Sequence, residues 1–246
     1  MSARTSGLLL VAAAALFWTA WLLMPGVGVT DPERIFQLVS SRRSLVALSV
    51  VIQLASAALY VPAMLGILAT AGFGRVPRLR RSAGILLVGA IGSAADAVLH
   101  LLAYAMTQPR VDSRAMIPVM AFLQGPGLSL LAPLLLSFFV GGAGLSIGLA
   151  RAHVVSRWSA RLYGWALATA IGGGGLASAG VVPSRGVGLA ALGLVSAAQI
   201  WVGIALWRRR VVCAKPPSVR LKPDTTYRHL RIAQEGAAPG VSWKIS

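Results

Sequence analysis

One cysteine, Cys213, occurs in the whole chain, which rules out an intrachain disulfide and any cysteine-built metal centre. Histidine is nearly as scarce, with three residues, His100, His153 and His229. Zinc needs three or four His, Cys or carboxylate ligands, and only Asp96 and His100 fall inside the long apolar runs. Bis-histidine haem fares no better. His100 and His153 belong near opposite faces of a membrane, roughly 25 Å apart by helix rise. No metal and no cofactor is therefore expected. Acids are the third shortage, six against 23 basic residues. A net charge of +17 would point to nucleic acid in a soluble protein. Here the basic residues sit between apolar runs and not on an aromatic-interleaved face, so nucleic acid is excluded as a partner.

What fills the chain instead is apolar. Hydrophobic residues make up 57% and charged residues only 12%, about half the share of an average soluble domain. Runs of about 20 such residues cross a bilayer as helices, because hydrocarbon tolerates no unpaired backbone. Six are legible, at roughly 7–27, 44–71, 83–107, 128–150, 162–182 and 187–207. The expected fold is all-α, a polytopic bundle of six transmembrane helices in residues 1–210. The first run is longer than a signal-peptide core and no A-x-A site follows, so it reads as an uncleaved span.

Two short helices are expected outside the spans. Thr30-Asp31-Pro32-Glu33 is a start signal, with an N-cap acid, proline at N1 and an acid in the first turn. It predicts a helix to about Ser40, with Ile35, Phe36 and Val39 as its apolar side. A second runs over 114–124, capped by Asp112 or Ser113, and either lies at the interface or dips in as a re-entrant piece. It should break from the fourth span at Gly125-Pro126-Gly127, where proline donates no hydrogen bond and the glycines release the helix.

Sidedness follows from where the arginines fall. Arg4, the cluster Arg75, Arg78, Arg80 and Arg81, then Arg151, Arg157 and Arg161, and finally the basic C-terminus alternate to one side. Fewer, Arg34, Arg42, Arg43, Arg110, Arg114 and Arg185, fall on the other, together with Asp31, Glu33 and Asp112. Both termini are thus expected in the cytoplasm, with the protein in the cell membrane. Arg208, Arg209 and Arg210 are placed to meet anionic lipid headgroups at about 1 kcal/mol per charge. Beyond them, 211–246 holds all three lysines and four prolines with no apolar period, the signature of a disordered basic tail. Its run from Pro217 to Tyr227 resembles a tail at the ends of many unrelated bacterial proteins, which implies translated repeat DNA without a role of its own.

The functional clue lies in the third span. Asp96, His100 and Tyr104 recur at intervals of four, about 6 Å apart along one helical side. An Asp at a helix centre costs about 2.5–3.5 kcal/mol on insertion scales, so it comes with a partner or a task. The functional reading is a protonatable pair lining a cavity. The bland one is mutual satisfaction, with Asp96 accepting from His100. Gln53 and Gln199 are the other candidates at depth, either joining the Asp96 pocket or linking helices.

Other motifs read as packing. Gly144-Leu145-Ser146-Ile147-Gly148 fits G-x-S-x-G, but that elbow depends on a strand-to-helix turn. Six spans with such a motif in the fourth is similar in outline to the rhomboid intramembrane proteases, which pair a G-x-S-G serine with a histidine in span six. Here the spacing differs and span six has no histidine. The run Gly172 to Gly175 suggests a close crossing or a kink in the fifth span. The leading expectation is a non-enzymatic membrane protein that binds an apolar or lipid-like ligand, a partner membrane protein or another copy of itself. A proton-coupled transporter is the alternative, and an embedded enzyme ranks last.

Overall fold

The computed structural model describes residues 2–70 and 76–208. Arg209, Arg210 and the tail expected to be disordered lie outside them. All regular structure among the described residues is helical: α1 (Ala3–Leu23), α2 (Pro32–Ser41), α3 (Arg43–Ala69), α4 (Pro77–Met106), α5 (Ser113–Phe122), α6 (Leu128–Arg151), α7 (Trp158–Ser178) and α8 (Ser184–Arg208).

Local signals place the ends. Asp31 caps α2, its Oδ1 accepting from the Glu33 N–H at 3.2 Å, and Asp112 caps α5 through the Arg114 N–H at 3.0 Å. Proline opens α2 and α4, where its missing N–H costs nothing. At the end of α6, His153 takes φ 53°, and the Val154 N–H turns back to the Leu149 carbonyl at 2.8 Å. That is the left-handed helix stop usually given to glycine.

Among the described residues, five helical segments are long and apolar enough to cross a membrane: α1, α3, α4, the run Ser113–Arg151 and α8. Many large apolar side chains point outward, including Leu130 at 79% exposure and Ile171 at 69%. Helices apolar on every side are what a lipid surround demands, and the fold is compatible with an integral membrane protein. The fifth predicted span, α7, has the right length at 21 residues but carries five glycines, an arginine and a tyrosine, and is less apolar than the rest.

The long helices pack in the cyclic order α1, α3, α4, α6, α7, α8, with the thinnest seam between α6 and α7. Phe17 stacks on Phe138 at 4.8 Å in the interior, and Tyr60 meets Phe138 edge-on at 5.2 Å. Two seams rest on glycine. Along α4·α6, side chains at Gly89 and Gly141 would run into the backbones of Phe138 and Leu86, and Gly144 and Gly148 face Ser82 and Leu79. Along α1·α8, a Cβ on Gly7 would lie 2.5 Å from the Gly203 carbonyl oxygen. The G-x-S-x-G match therefore sits inside a continuous helix as part of a small-residue seam, not on a strand-to-helix elbow.

One expectation needs correction. Gly125-Pro126-Gly127 does not break the chain into separate helices. Leu123–Gly127 forms one π-helical turn that joins α5 to α6 without a gap, the wider turn absorbing the N–H that Pro126 lacks. The run Gly172 to Gly175 lies within a continuous α7, and the close crossing expected there is made by one of its four residues. Only Gly173 meets a neighbour, Val187 of α8, and the other three face open space.

Candidate functional site

Gln53 on α3 and Asp96 on α4 face each other where these helices pack. The Gln53 amide donates to Asp96 Oδ2 at 2.8 Å and to the Ser93 carbonyl at 3.1 Å. One residue thereby satisfies a side chain and a backbone group of the same neighbouring helix. His100, a turn beyond Asp96, brings Nδ1 to 3.4 Å from Gln53 Oε1 and 3.7 Å from Asp96 Oδ2. Its ring meets Trp21 of α1 edge-on at 5.7 Å. Gln53 and Asp96 are buried, whereas the His100 side chain keeps 18% of its surface.

The expected direct bond from His100 to Asp96 is thus corrected. Gln53 is the nearer partner, and 3.7 Å is ion-pair range without being hydrogen-bond range. Tyr104 leaves the group altogether. Each step of four residues overshoots a turn by about 40°, so after two steps Tyr104 is rotated by about 80° from Asp96. Its ring instead lies under the Arg43 guanidinium at 4.8 Å. Gln199 does not join the pocket either. It links three helices elsewhere, accepting from the Tyr60 hydroxyl of α3 and donating to the Tyr163 hydroxyl of α7 at 3.0 Å.

Asp96 and His100 line a cavity of about 300 Å³, at the lower end of small-ligand sites. Its walls are apolar: Met24 and Val27 after α1, Ile35 and Val39 of α2, Val46 of α3, Leu99 and Ala103 of α4, and Met120 of α5. The π turn adds Leu123 and Gln124. The amphipathic α2 forms one wall because its buried face, Ile35 and Val39, packs into the apolar cluster that holds Met24, Val46 and Met120. Sequence reasoning missed Trp21 and Gln124 as members of the site. Gln124 carried a signal, being a polar residue beside Gly-Pro-Gly in an apolar run, and π turns recur at functional positions.

Trp21 also borders a second, smaller apolar cavity of about 190 Å³, with Ser93, Phe17 and Phe138. The Trp21 indole N–H and the Ser93 hydroxyl are both buried and find no hydrogen-bond partner among the described residues. Chemically the site offers a carboxylate acceptor and an imidazole able to donate or accept, at the base of an apolar chamber. Among the described residues no three of His, Cys, Asp and Glu converge. The fold and the site define an all-helical protein compatible with membrane integration. No protein family, curated protein or solved structure matches the chain.

Proposed function

We propose that the chain is a six-span protein of the cell membrane, with both termini cytoplasmic, that binds a small apolar or lipid-like molecule without transforming it. Asp96, His100 and Gln53 form the polar anchor, and the apolar walls take the body of the ligand. The observation that carries this reading is the cavity of about 300 Å³ with Asp96 and His100 in a mainly apolar lining. An acid at depth is expensive, and one that borders a chamber has something to meet. What supports a sixth span is α7, which runs 21 residues beside α8 and meets α6.

The test is thermal stabilisation of the purified protein by linear alkyl amines, alcohols and carboxylates of increasing chain length, in wild type and Ala103→Leu. The expected result is an optimum in both headgroup and chain length, which shortens when leucine fills the wall. Indifference to every probe, or identical optima in the two proteins, would refute cavity binding. A second reading, a proton-coupled carrier, draws on the 3.7 Å between Asp96 and His100 in the same cavity. Proton flux into proteoliposomes that disappears in Asp96→Asn would favour it over passive binding.

A further inference from the structure

The opposite end of α6 carries a different kind of site. Arg151 closes the last turn of α6. After the left-handed stop at His153, the buried Val154 and Val155 pin the loop before α7 begins at Trp158. Arg157 stands at the N-cap of α7 without a side-chain cap bond, and the first turn contains no acid. Arg161 follows one turn later with its guanidinium 4.9 Å over the Trp158 ring. These three arginines and His153, with Ile147, Ala150 and Ala160 as apolar floor, border one open groove of about 540 Å³.

Three features converge there. No carboxylate lies within ion-pair range of any of the three arginines among the described residues; the acids are Asp31, Glu33, Asp96 and Asp112, and the one ion pair is that of Asp96 and His100. The α7 N-terminus adds the positive end of a helix dipole. The depth also fits. The 24 residues of α6 rise about 36 Å, close to the thickness of a hydrocarbon core. Exposed Trp158 and Trp201 flank the elbow, the latter donating to Ser156 Oγ at 3.0 Å, as interfacial tryptophans do. Positive charge that only set topology could stand anywhere along the loop. It would not need to gather around one groove with an apolar floor.

We infer that the α6–α7 elbow binds the phosphate group of an anionic phospholipid. Guanidinium forks hold phosphate oxygens in pairs, and the floor of Ile147, Ala150 and Ala160 receives the adjoining glycerol and first methylenes.

Native mass spectrometry of the full chain in detergent tests this, with dioleoyl phosphatidylglycerol and dioleoyl phosphatidylcholine as probes. In Arg157→Gln/Arg161→Gln the affinity for phosphatidylglycerol should fall by about 30-fold, as two interfacial charges predict. Arg157→Lys/Arg161→Lys should lose part of it, because charge remains while the fork is gone. Arg110→Gln/Arg114→Gln, with the same change in net charge, should bind as wild type does. Unaltered helical content by circular dichroism shows that each variant is folded; these side chains are exposed. The proposal is overturned if the Arg110/Arg114 control loses as much, or if phosphatidylcholine binds as tightly. It is overturned too if millimolar inorganic phosphate displaces the lipid, which would make the groove a site for a free anion.

Discussion

Replacing Gln53 by leucine asks what holds Asp96. The change keeps the volume and removes two buried donations, to Asp96 Oδ2 at 2.8 Å and to the Ser93 carbonyl at 3.1 Å. In a soluble protein a bond to a charged acceptor contributes about 1.5–3 kcal/mol and a neutral one about 0.5–1.5. Between membrane helices the measured average is nearer ~0.6 kcal/mol, with a maximum of ~1.7, because separated helices find other partners. The Ser93 carbonyl keeps its own helix, so its loss is small, and the bond to the Asp96 carboxyl dominates. A cost of about 1.5 kcal/mol, near that maximum, is therefore expected for Gln53→Leu, read by unfolding in mixed micelles.

The sharper quantity is coupling. Geometry ranks the pairs: Gln53 with Asp96 at 2.8 Å ahead of His100 with Asp96 at 3.7 Å. Double-mutant cycles with Asp96→Asn should give at least ~1 kcal/mol for the first pair and less for the second. If the Gln53 cycle is additive within about 0.5 kcal/mol, or if the His100 cycle exceeds it, the assignment of Gln53 as principal partner is wrong.

The glycine seams give a contrast within one residue type. Gly89→Ala and Gly141→Ala push a methyl into the backbone of the facing helix and should each cost about 1–3 kcal/mol. Gly84→Ala and Gly164→Ala meet nothing within 4 Å and should be neutral or stabilise by up to ~1 kcal/mol, all four by the same unfolding assay. Arg185 donates to the Pro25 and Leu22 carbonyls at 3.0 and 3.1 Å, closing the C-terminal end of α1 from the start of α8. Arg185→Gln should raise hydrogen exchange over residues 20–28 without altering that of α4; unchanged exchange there would argue against this cap. Tyr60→Phe leaves Gln199 Oε1 buried without its donor and should cost about 1–3 kcal/mol. A melting temperature equal to wild type would show that another group takes over.

The helices were legible because a lipid surround reduces the problem to finding apolar runs, and the short capped α2 because Asp31-Pro32 states its start in two residues. Gly125-Pro126-Gly127 misled, since the composition of a breaker does not distinguish a chain break from a wide turn. Neighbouring residues decide which forms, and here α5 is held against α2. The site was half legible. Intervals of four named Asp96 and His100 correctly as neighbours, but the same rule carried Tyr104 too far because helical drift accumulates. Gln53 was a candidate from polarity alone, with nothing in the sequence to say that it would stand nearer to Asp96 than His100 does. Trp21 looked like any belt aromatic until α1 was placed beside α4's His100.

A wider pattern connects these details. With no hydrophobic force to drive helices together inside lipid, close packing and interhelical hydrogen bonds must do it, and the bundle divides the two tasks. The pairs α4·α6 and α1·α8 close on glycine. The helix between them, α3, carries instead a polar stripe at Ser49, Gln53, Ser56 and Tyr60. Ser49 and Ser56 donate to the Ala20 and Ala13 carbonyls of α1 at 2.7 and 2.8 Å, Gln53 reaches α4 and Tyr60 reaches α8. Intervals of four, three and four keep these groups on one seam. Asp96 therefore lies at the joint between two tightly packed pairs as well as beside a chamber. Loss of stability in Asp96→Asn alone would not decide between anchor and glue. The ligand optimum would: a purely structural Asp96 leaves headgroup preference unchanged in Asp96→Asn once both proteins are compared below their melting points, whereas an anchoring one shifts it.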